Sequence, residues 1–171
     1  MPNVYLLTIS ILISISCLSQ DKKIPRFDFD NYEFPKAIIV QVENKNKAKL
    51  KQNIQNWLSV HYSKSTLLEC QYLEDTFIIK AKVDQLIEVK NLTSEVRYNL
   101  RISLRDSKYR LEITSLRYKY YTEYRPISNI NLIMDEVIKK DLDESRSILS
   151  SFFNNLNLEL YESVTRDSSD W

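Results

Sequence analysis

Between Val96 and Tyr121 the chain alternates in a way that few folds accommodate. Tyr98, Leu100, Ile102 and Leu104 are separated by Asn99, Arg101, Ser103 and Arg105. After the polar stretch Arg105-Asp106-Ser107-Lys108, the residues Tyr109, Leu111 and Ile113 alternate with Arg110, Glu112 and Thr114. A period of two means strands with one buried face. The polar stretch predicts a hairpin with Leu104 opposite Tyr109, Ile102 opposite Leu111 and Leu100 opposite Ile113. Arg101 then faces Glu112 on the other side, an opposite-charge pair contributing roughly 0.2–1 kcal/mol. Slipping the pairing by one residue would turn every apolar side chain into water, so the register is specified. Beyond Thr114 the phase reverses, because Leu116 and Tyr118 fall on the polar side. That predicts a bulge near Thr114-Ser115, or a twist that changes which face is covered.

The turn of this hairpin has no glycine, and neither has any other part of the 171-residue chain. Asn, Asp and Ser must therefore carry the turns, and Asp106-Ser107 is expected to supply the left-handed backbone here. The lack of glycine also excludes the P-loop and the dinucleotide-binding fingerprint. The length suits one domain with a real core plus a short extra segment. A formal net charge of +1 gives no global basic excess of the kind that marks nucleic-acid binding.

Residues 4–18 form an uncharged apolar run of signal-peptide length, followed by the polar Gln20-Asp21-Lys22-Lys23. The expectation is export, with residues 1–19 removed by cleavage after Ser19. Two alternatives stay open: Cys17 lipidated behind a loose lipobox (Ser14-Ile15-Ser16), or the run retained as an anchor. The protein is then periplasmic or secreted, or an envelope lipoprotein, and touches membrane only if lipidated or uncleaved. Cys70 would be the one cysteine left in the mature chain, expected as a small buried hydrophobe.

Residues 20–36, with two prolines and several aromatics, read as an extended lead-in to a single domain spanning 37–165. Residues 37–42 form a strand. Residues 44–62 form a helix whose stripe is Leu50, Ile54, Trp57, Leu58 and His61, capped by Asn44 or Asn46. Its lysines, Lys45, Lys47, Lys49 and Lys51, are a solvated face or a contact for an anionic partner. Residues 66–72 and 77–83 form a second hairpin, pairing Leu68, Cys70 and Tyr72 with Ala81, Ile79 and Phe77. Residues 86–92 either continue that strand or form a separate edge. Pro126 closes the sheet. A short amphipathic piece spans 130–140, and a long helix starting at Asp141 or Asp143 runs to Val164. Residues 166–171 fray.

The segment from Tyr98 to Tyr118, YNLRISLRDSKYRLEITSLRY, resembles the most recognisable part of an exported Bacteroidota family of unknown function. There a tyrosine- and aliphatic-rich strand meets a Lys-Asp-Gly-Lys-Tyr-Arg-like turn and a second strand. Asp106, Lys108, Tyr109 and Arg110 match that turn, while Arg105 and Ser107 stand where Lys and Gly are common. The strand-helix unit of residues 37–62 and the late helix also fit, so the resemblance spans about residues 35 to 165. It implies a fold like that of TATA-box-binding protein and an exported location, and lends no activity or catalytic residues. The fold expected is α+β: a curved antiparallel sheet of about five strands with two helices on one face, in the order β-α-β-β-β-β-α.

Catalysis is poorly provisioned. His61 is the sole histidine and lies on an apolar stripe, so Cys70 has no second base to activate it. One His and one mature Cys do not make a transition-metal site. The acidic cluster Asp141, Asp143 and Glu144 is explained by helix capping. No cofactor, metal site or catalytic residue is expected. Two surface features remain as candidate binding sites. One is the polar sheet face, with Lys80, Lys82, Arg101, Arg105 and Arg110 against Glu69 and Glu112. The other is the run Tyr118, Tyr120, Tyr121 and Tyr124, interleaved with Arg117, Lys119 and Arg125. The leading expectation is an exported, non-catalytic binding or assembly domain of the cell envelope, holding an envelope protein or an anionic glycan. A nucleic-acid-binding sheet is the alternative by fold analogy, disfavoured by export, and an enzyme built on surface carboxylates ranks last.

Overall fold

The computed structural model describes residues 24–128 and 130–166. The expected signal segment with Cys17, and residues 167–171 of the expected frayed tail, lie outside them. Six strands form one curved antiparallel sheet: β1 (Lys36–Gln41), β2 (Leu67–Leu73), β3 (Thr76–Val89), β4 (Leu92–Arg105), β5 (Lys108–Tyr120) and β6 (Glu123–Pro126). The order is β1-β5-β4-β3-β2, and β6 adds to β5 beyond the end of β1. Helix α1 (Lys47–His61) joins β1 to β2, and α2 (Glu136–Glu144) and α3 (Arg146–Thr165) follow the sheet.

The central hairpin has the register its alternation dictates. Leu104 pairs with Tyr109, Ile102 with Leu111, Arg101 with Glu112 and Leu100 with Ile113. Asn99 then pairs with Ser115, which leaves Thr114 as one extra residue in β5. This bulge turns Leu116 and Tyr118 onto the helix-covered face, where each is 2% exposed. The Thr114 hydroxyl donates to the Asn99 carbonyl at 3.3 Å, which fastens the bulge to its partner strand.

The turn differs from expectation in one respect. Ser107, with φ of 60°, takes the left-handed conformation rather than Asp106. The Asp106 carboxylate is committed elsewhere, accepting the Lys47 N–H at the start of α1 at 2.7 Å. Ser107 donates to the Lys45 carbonyl and accepts from the Val42 N–H, both at 2.8 Å. The hairpin tip and the β1–α1 connection therefore hold each other, and Asn46 completes the cap by accepting the Lys49 N–H.

Glu74-Asp75 and Lys90-Asn91 make two further two-residue turns, all four residues at positive φ, as the twist of hairpin strands demands. β3 continues past Asp84 as a single strand, with a register shift between Val83 and Ile87 that contains Gln85 at φ 54°. In β2 the expected pairing slips at one point. Leu67, not Leu68, faces Ala81, because Leu68 is the extra residue of a bulge and is exposed. Cys70 does face Ile79, but β2 is the sheet edge and the cysteine is exposed rather than buried.

The lead-in is part of the domain. Phe27, Phe29 and Tyr32 are buried, Phe29 stacks on Phe153 of α3 at 5.7 Å, and Asn154 of α3 grips Phe27 through both its N–H and its carbonyl. Tyr124-Arg125-Pro126 closes the sheet only after pairing as β6, with Pro126 at its end opposite Arg117. The late helical stretch breaks at Ser145, so neither Asp141 nor Asp143 starts α3. Asp135 caps α2, and the Asp141 carboxylate accepts the Lys90 N–H at 2.8 Å. The core lies between the sheet and α1 and α3, centred on Leu50, Ile54, Leu111, Ile113, Phe153 and Leu160.

Holding a side-chain-bearing residue left-handed costs about 1–2 kcal/mol, while glycine costs about 0.5–1 kcal/mol of extra chain entropy. Glu74→Gly and Gln85→Gly, both at exposed positive-φ positions, are therefore expected to stabilise by about 0.5–1 kcal/mol each. Thermal unfolding should show a rise of about 1–4 °C for each, whereas Thr93→Gly in extended backbone should lower the midpoint.

Candidate functional site

The face of the sheet opposite the helices carries the polar set of each strand, and the register decides which side chains meet. Its two ends differ. Towards β6, Glu95 of β4 sits at the centre of a closed network. Its carboxylate accepts from the Tyr124 hydroxyl at 2.6 Å, from Lys82 Nζ at 2.9 Å and from Arg97 Nε at 3.1 Å. The Arg97 guanidinium lies 3.6 Å over the Tyr124 ring, and Arg117 donates twice to the Tyr124 carbonyl. Arg97 and Arg117 are directly opposite across the hairpin, a like-charge pairing that this network absorbs. Burial alone raises the Glu95 carboxyl, but the hydrogen bonds from Tyr124, Lys82 and Arg97 outweigh it and hold it down at about 2.

Towards the Asp106-Ser107 turn, Glu112 is 4% exposed and shared by Arg110 at 3.2 Å and Arg101 at 3.8 Å. Lys80 pairs with Glu69 at 2.6 Å. Arg105 stands opposite Lys108, again like charge against like charge. Among the described residues no carboxylate lies within ion-pair distance of either. Beside them is a depression of about 420 Å³ bounded by Ile39, Ser103, Arg105, Lys108, Tyr109 and Arg110.

The five basic residues expected on this face are all there, but Lys82 is tied to Asp84 and Glu95 and is only half exposed. The tyrosine run does not form one surface. Tyr118 is in the core, because the Thr114 bulge reverses the alternation. Tyr120 is half-buried beneath Arg125, on the helix side. Tyr121 is exposed in the β5–β6 turn at φ 53°. Tyr124 alone joins the open face. Sequence reasoning missed Glu95, Arg97, Ile39 and Ser103 as site residues, gave Lys108 no site role and placed Arg117 with the tyrosine run. Extending the alternation four residues upstream of Asn99 would have found the first two. The phase change it noted after Thr114 would have moved Arg117 across.

Elsewhere His61 stacks on Trp57 at 4.9 Å and its Nδ1 lies 2.8 Å from Glu159, a packed position beside the core. The lysines at the start of α1 and just before it are engaged: Lys47 with Asp75, Lys51 over the Tyr72 ring, and Lys45 with the Arg166 carbonyl. Among the described residues no group of three or more His, Cys, Asp or Glu side chains converges to hold a metal. No described helix is long and apolar enough to cross a membrane.

The fold can be compared with known structures. A TBP-like protein from Parabacteroides distasonis superposes with a TM-score of 0.61 and 18% identity, over 77% of this chain and 92% of that one. A DUF4468 family protein from Bacteroides ovatus gives 0.57 and 9%, over 86% and 94%. The fold is TBP-like. Both neighbours come from Bacteroidales, in keeping with the resemblance drawn from the hairpin segment. No family model and no curated protein matches the sequence. The TBP-like sheet is thus the frame on which the two ends of the open face must be understood.

The depressed Glu95 carboxyl makes a pH prediction. Its folded value of about 2 lies below the ordinary 4.5, so its stabilisation is complete above about pH 4.5 and is lost as pH falls towards 2. The contribution is about 2–3 kcal/mol near neutrality. Glu95→Gln should lower stability by that order at pH 7 and flatten the decline between pH 4.5 and 2, as measured by urea unfolding across pH.

Proposed function

We propose that this chain is an exported, non-catalytic binding domain of the bacterial cell envelope that holds an anionic partner on the open face of its sheet. The observation that carries the reading is the unbalanced end of that face. Arg105 and Arg110 are exposed there, Arg105 faces Lys108, and the acid of the hairpin turn, Asp106, is bonded to the start of α1. A solvated sheet face has no need to set Arg105 against Lys108. The apolar run at residues 4–18 supports export, which makes an anionic glycan or an acidic envelope protein the natural partner class.

Two measurements test this. The full-length chain expressed in a Bacteroidales host should be recovered from the envelope with Gln20 as its first residue, by mass spectrometry. A diacylglyceryl Cys17 would instead assign it to the lipoproteins, and an unprocessed chain in the cytoplasm would overturn export. The purified protein should be retained on an immobilised anionic polysaccharide at low ionic strength and released by salt. Lys80→Gln with Arg101→Gln should weaken retention several-fold. Free passage through the column, or hydrolysis of the polysaccharide, would overturn the reading.

Nucleic acid is the second reading, and the TBP-like fold is the observation behind it. Fold likeness is weak warrant for function. A steep salt slope in a DNA titration would favour it over the glycan.

A further inference from the structure

We propose that the depression bounded by Ile39, Ser103, Arg105, Lys108 and Arg110 is a site for one acidic sugar residue, a uronate or a phosphosugar. The inference rests on the reading of the open face as an anion-binding surface and names where on it, and what, is held. Register brings the parts together: Arg105 opposite Lys108, Ser103 opposite Arg110, and Arg110 opposite Ile39 of β1. Three cations from two strands thus converge around one hydroxyl.

At this spot like charges face each other without an ion pair among the described residues, although Glu74, Asp75 and Asp106 line the neighbouring groove with Arg105. The like-charge pair Arg97/Arg117 is neutralised by Glu95 and the Tyr124 carbonyl. The like-charge pair Arg105/Lys108 has no such partner among the described residues. Arg110 spends one nitrogen on Glu112, leaving the rest of its guanidinium for a ligand. Asp106, the acid best placed to compensate, points its Oδ1 at the Lys47 N–H. An incoming carboxylate or phosphate would relieve the repulsion, and arginine forks match the geometry of both anions.

The rest of the depression selects what carries the anion. Its volume of about 420 Å³ is that of a small-ligand pocket. Ile39 is 56% exposed and forms an aliphatic wall suited to the C–H face of a sugar ring. The Ser103 hydroxyl, which accepts from Thr76 at 3.1 Å, keeps its own proton to donate to a ring hydroxyl. A nucleotide base would need an exposed aromatic to stack on. Tyr109, the one ring lining the depression, is fully buried with its hydroxyl bonded to Asn157.

The test is an amide-NMR titration of the intact protein with glucuronate, glucose 6-phosphate, glucose and inorganic phosphate. Saturable shifts centred on residues 39 and 103–110 are expected with both acidic sugars. Glucose and inorganic phosphate should each bind at least about tenfold more weakly, since each lacks half of the contacts. Arg105→Gln with Lys108→Gln should lose acidic-sugar binding by at least about tenfold. It should also unfold at the same or higher temperature, because a repulsion is removed. Lys64→Gln with Lys140→Gln, an equal change of charge at exposed positions outside the sheet, should leave binding as it was. Unaltered acidic-sugar binding by the double variant would overturn the site, as would phosphate binding as tightly as glucose 6-phosphate, or shifts produced only by an oligonucleotide or an acidic peptide. In those cases continued retention of the double variant on anionic polysaccharide would leave the open-face reading standing. Failure of the unaltered protein to be retained would remove both.

Discussion

The pairing of β4 with β5 is the constraint from which the other elements take their places. β3 adds to the free side of β4, and β1 and β6 share the free side of β5 end to end. The hairpin tip also fixes the first helix, since Asp106 and Ser107 bond to the residues that lead into α1. A change in this register would do more than expose Leu100, Ile102, Leu111 and Ile113. It would displace two edge strands, unseat the α1 cap and carry Glu112 out from between its two arginines. Thr114 belongs to the same constraint. Without its bulge, the second half of β5 would present Arg117 and Lys119 to the core and Leu116 and Tyr118 to solvent.

Much of this was legible in the sequence because period-two alternation is a local signal that a single register satisfies. The central hairpin and the bulge near Thr114 follow from it, and the stripe of α1 follows from the equally local helical period. What escaped depended on neighbours distant in sequence. Cys70 reads as buried from its flanking Leu68 and Tyr72, but its exposure is set by β2 lying at the sheet edge, which is a property of strand order. Phe27 and Phe29 read as a lead-in because no periodicity marks them; their burial comes from α3, more than a hundred residues later. Tyr118 was assigned to a surface run because four tyrosines lie close in sequence, although the phase change already noted at Thr114 moves it inside. In the candidate site, the cations were legible by alternation, but which of them stay unpaired was not. That depends on where Glu95, Asp106 and Glu112 send their carboxylates.

Carboxylate placement is what separates the two ends of the open face. Glu95 is ringed by Lys82, Arg97 and Tyr124, and these bonds outweigh the cost of its partial burial. That end reads as a structural brace: it ties β3, β4 and β6 together across the sheet with side chains that have few hydrogen bonds left to give. Glu112 does similar work for Arg101 and Arg110 but sits deeper, so the arginine heads extend outward. At the turn end Arg105 and Lys108 face each other without an ion pair among the described residues. Like charges set directly opposite one another cost stability.

The same distribution bears on what a TBP-like sheet does in this chain. Architectural proteins that bend DNA from a concave sheet drive apolar wedges between base steps and follow the minor groove with arginine and lysine. On this face the aromatic ring available for such a role, Tyr124, lies under the Arg97 guanidinium and hydrogen-bonds to Glu95. The centre of the sheet is occupied by charged and hydroxylic side chains, Lys80, Arg101 and Ser115 among them, with Glu112 sunk beneath. A surface so arranged offers no wedge at its middle and places its unanswered charge at one rim. Long double helices need charge along a track, whereas a single acidic group needs it at a point. Arg105, Lys108 and Arg110 lie together at one rim, so on the reading proposed above they are of the second kind.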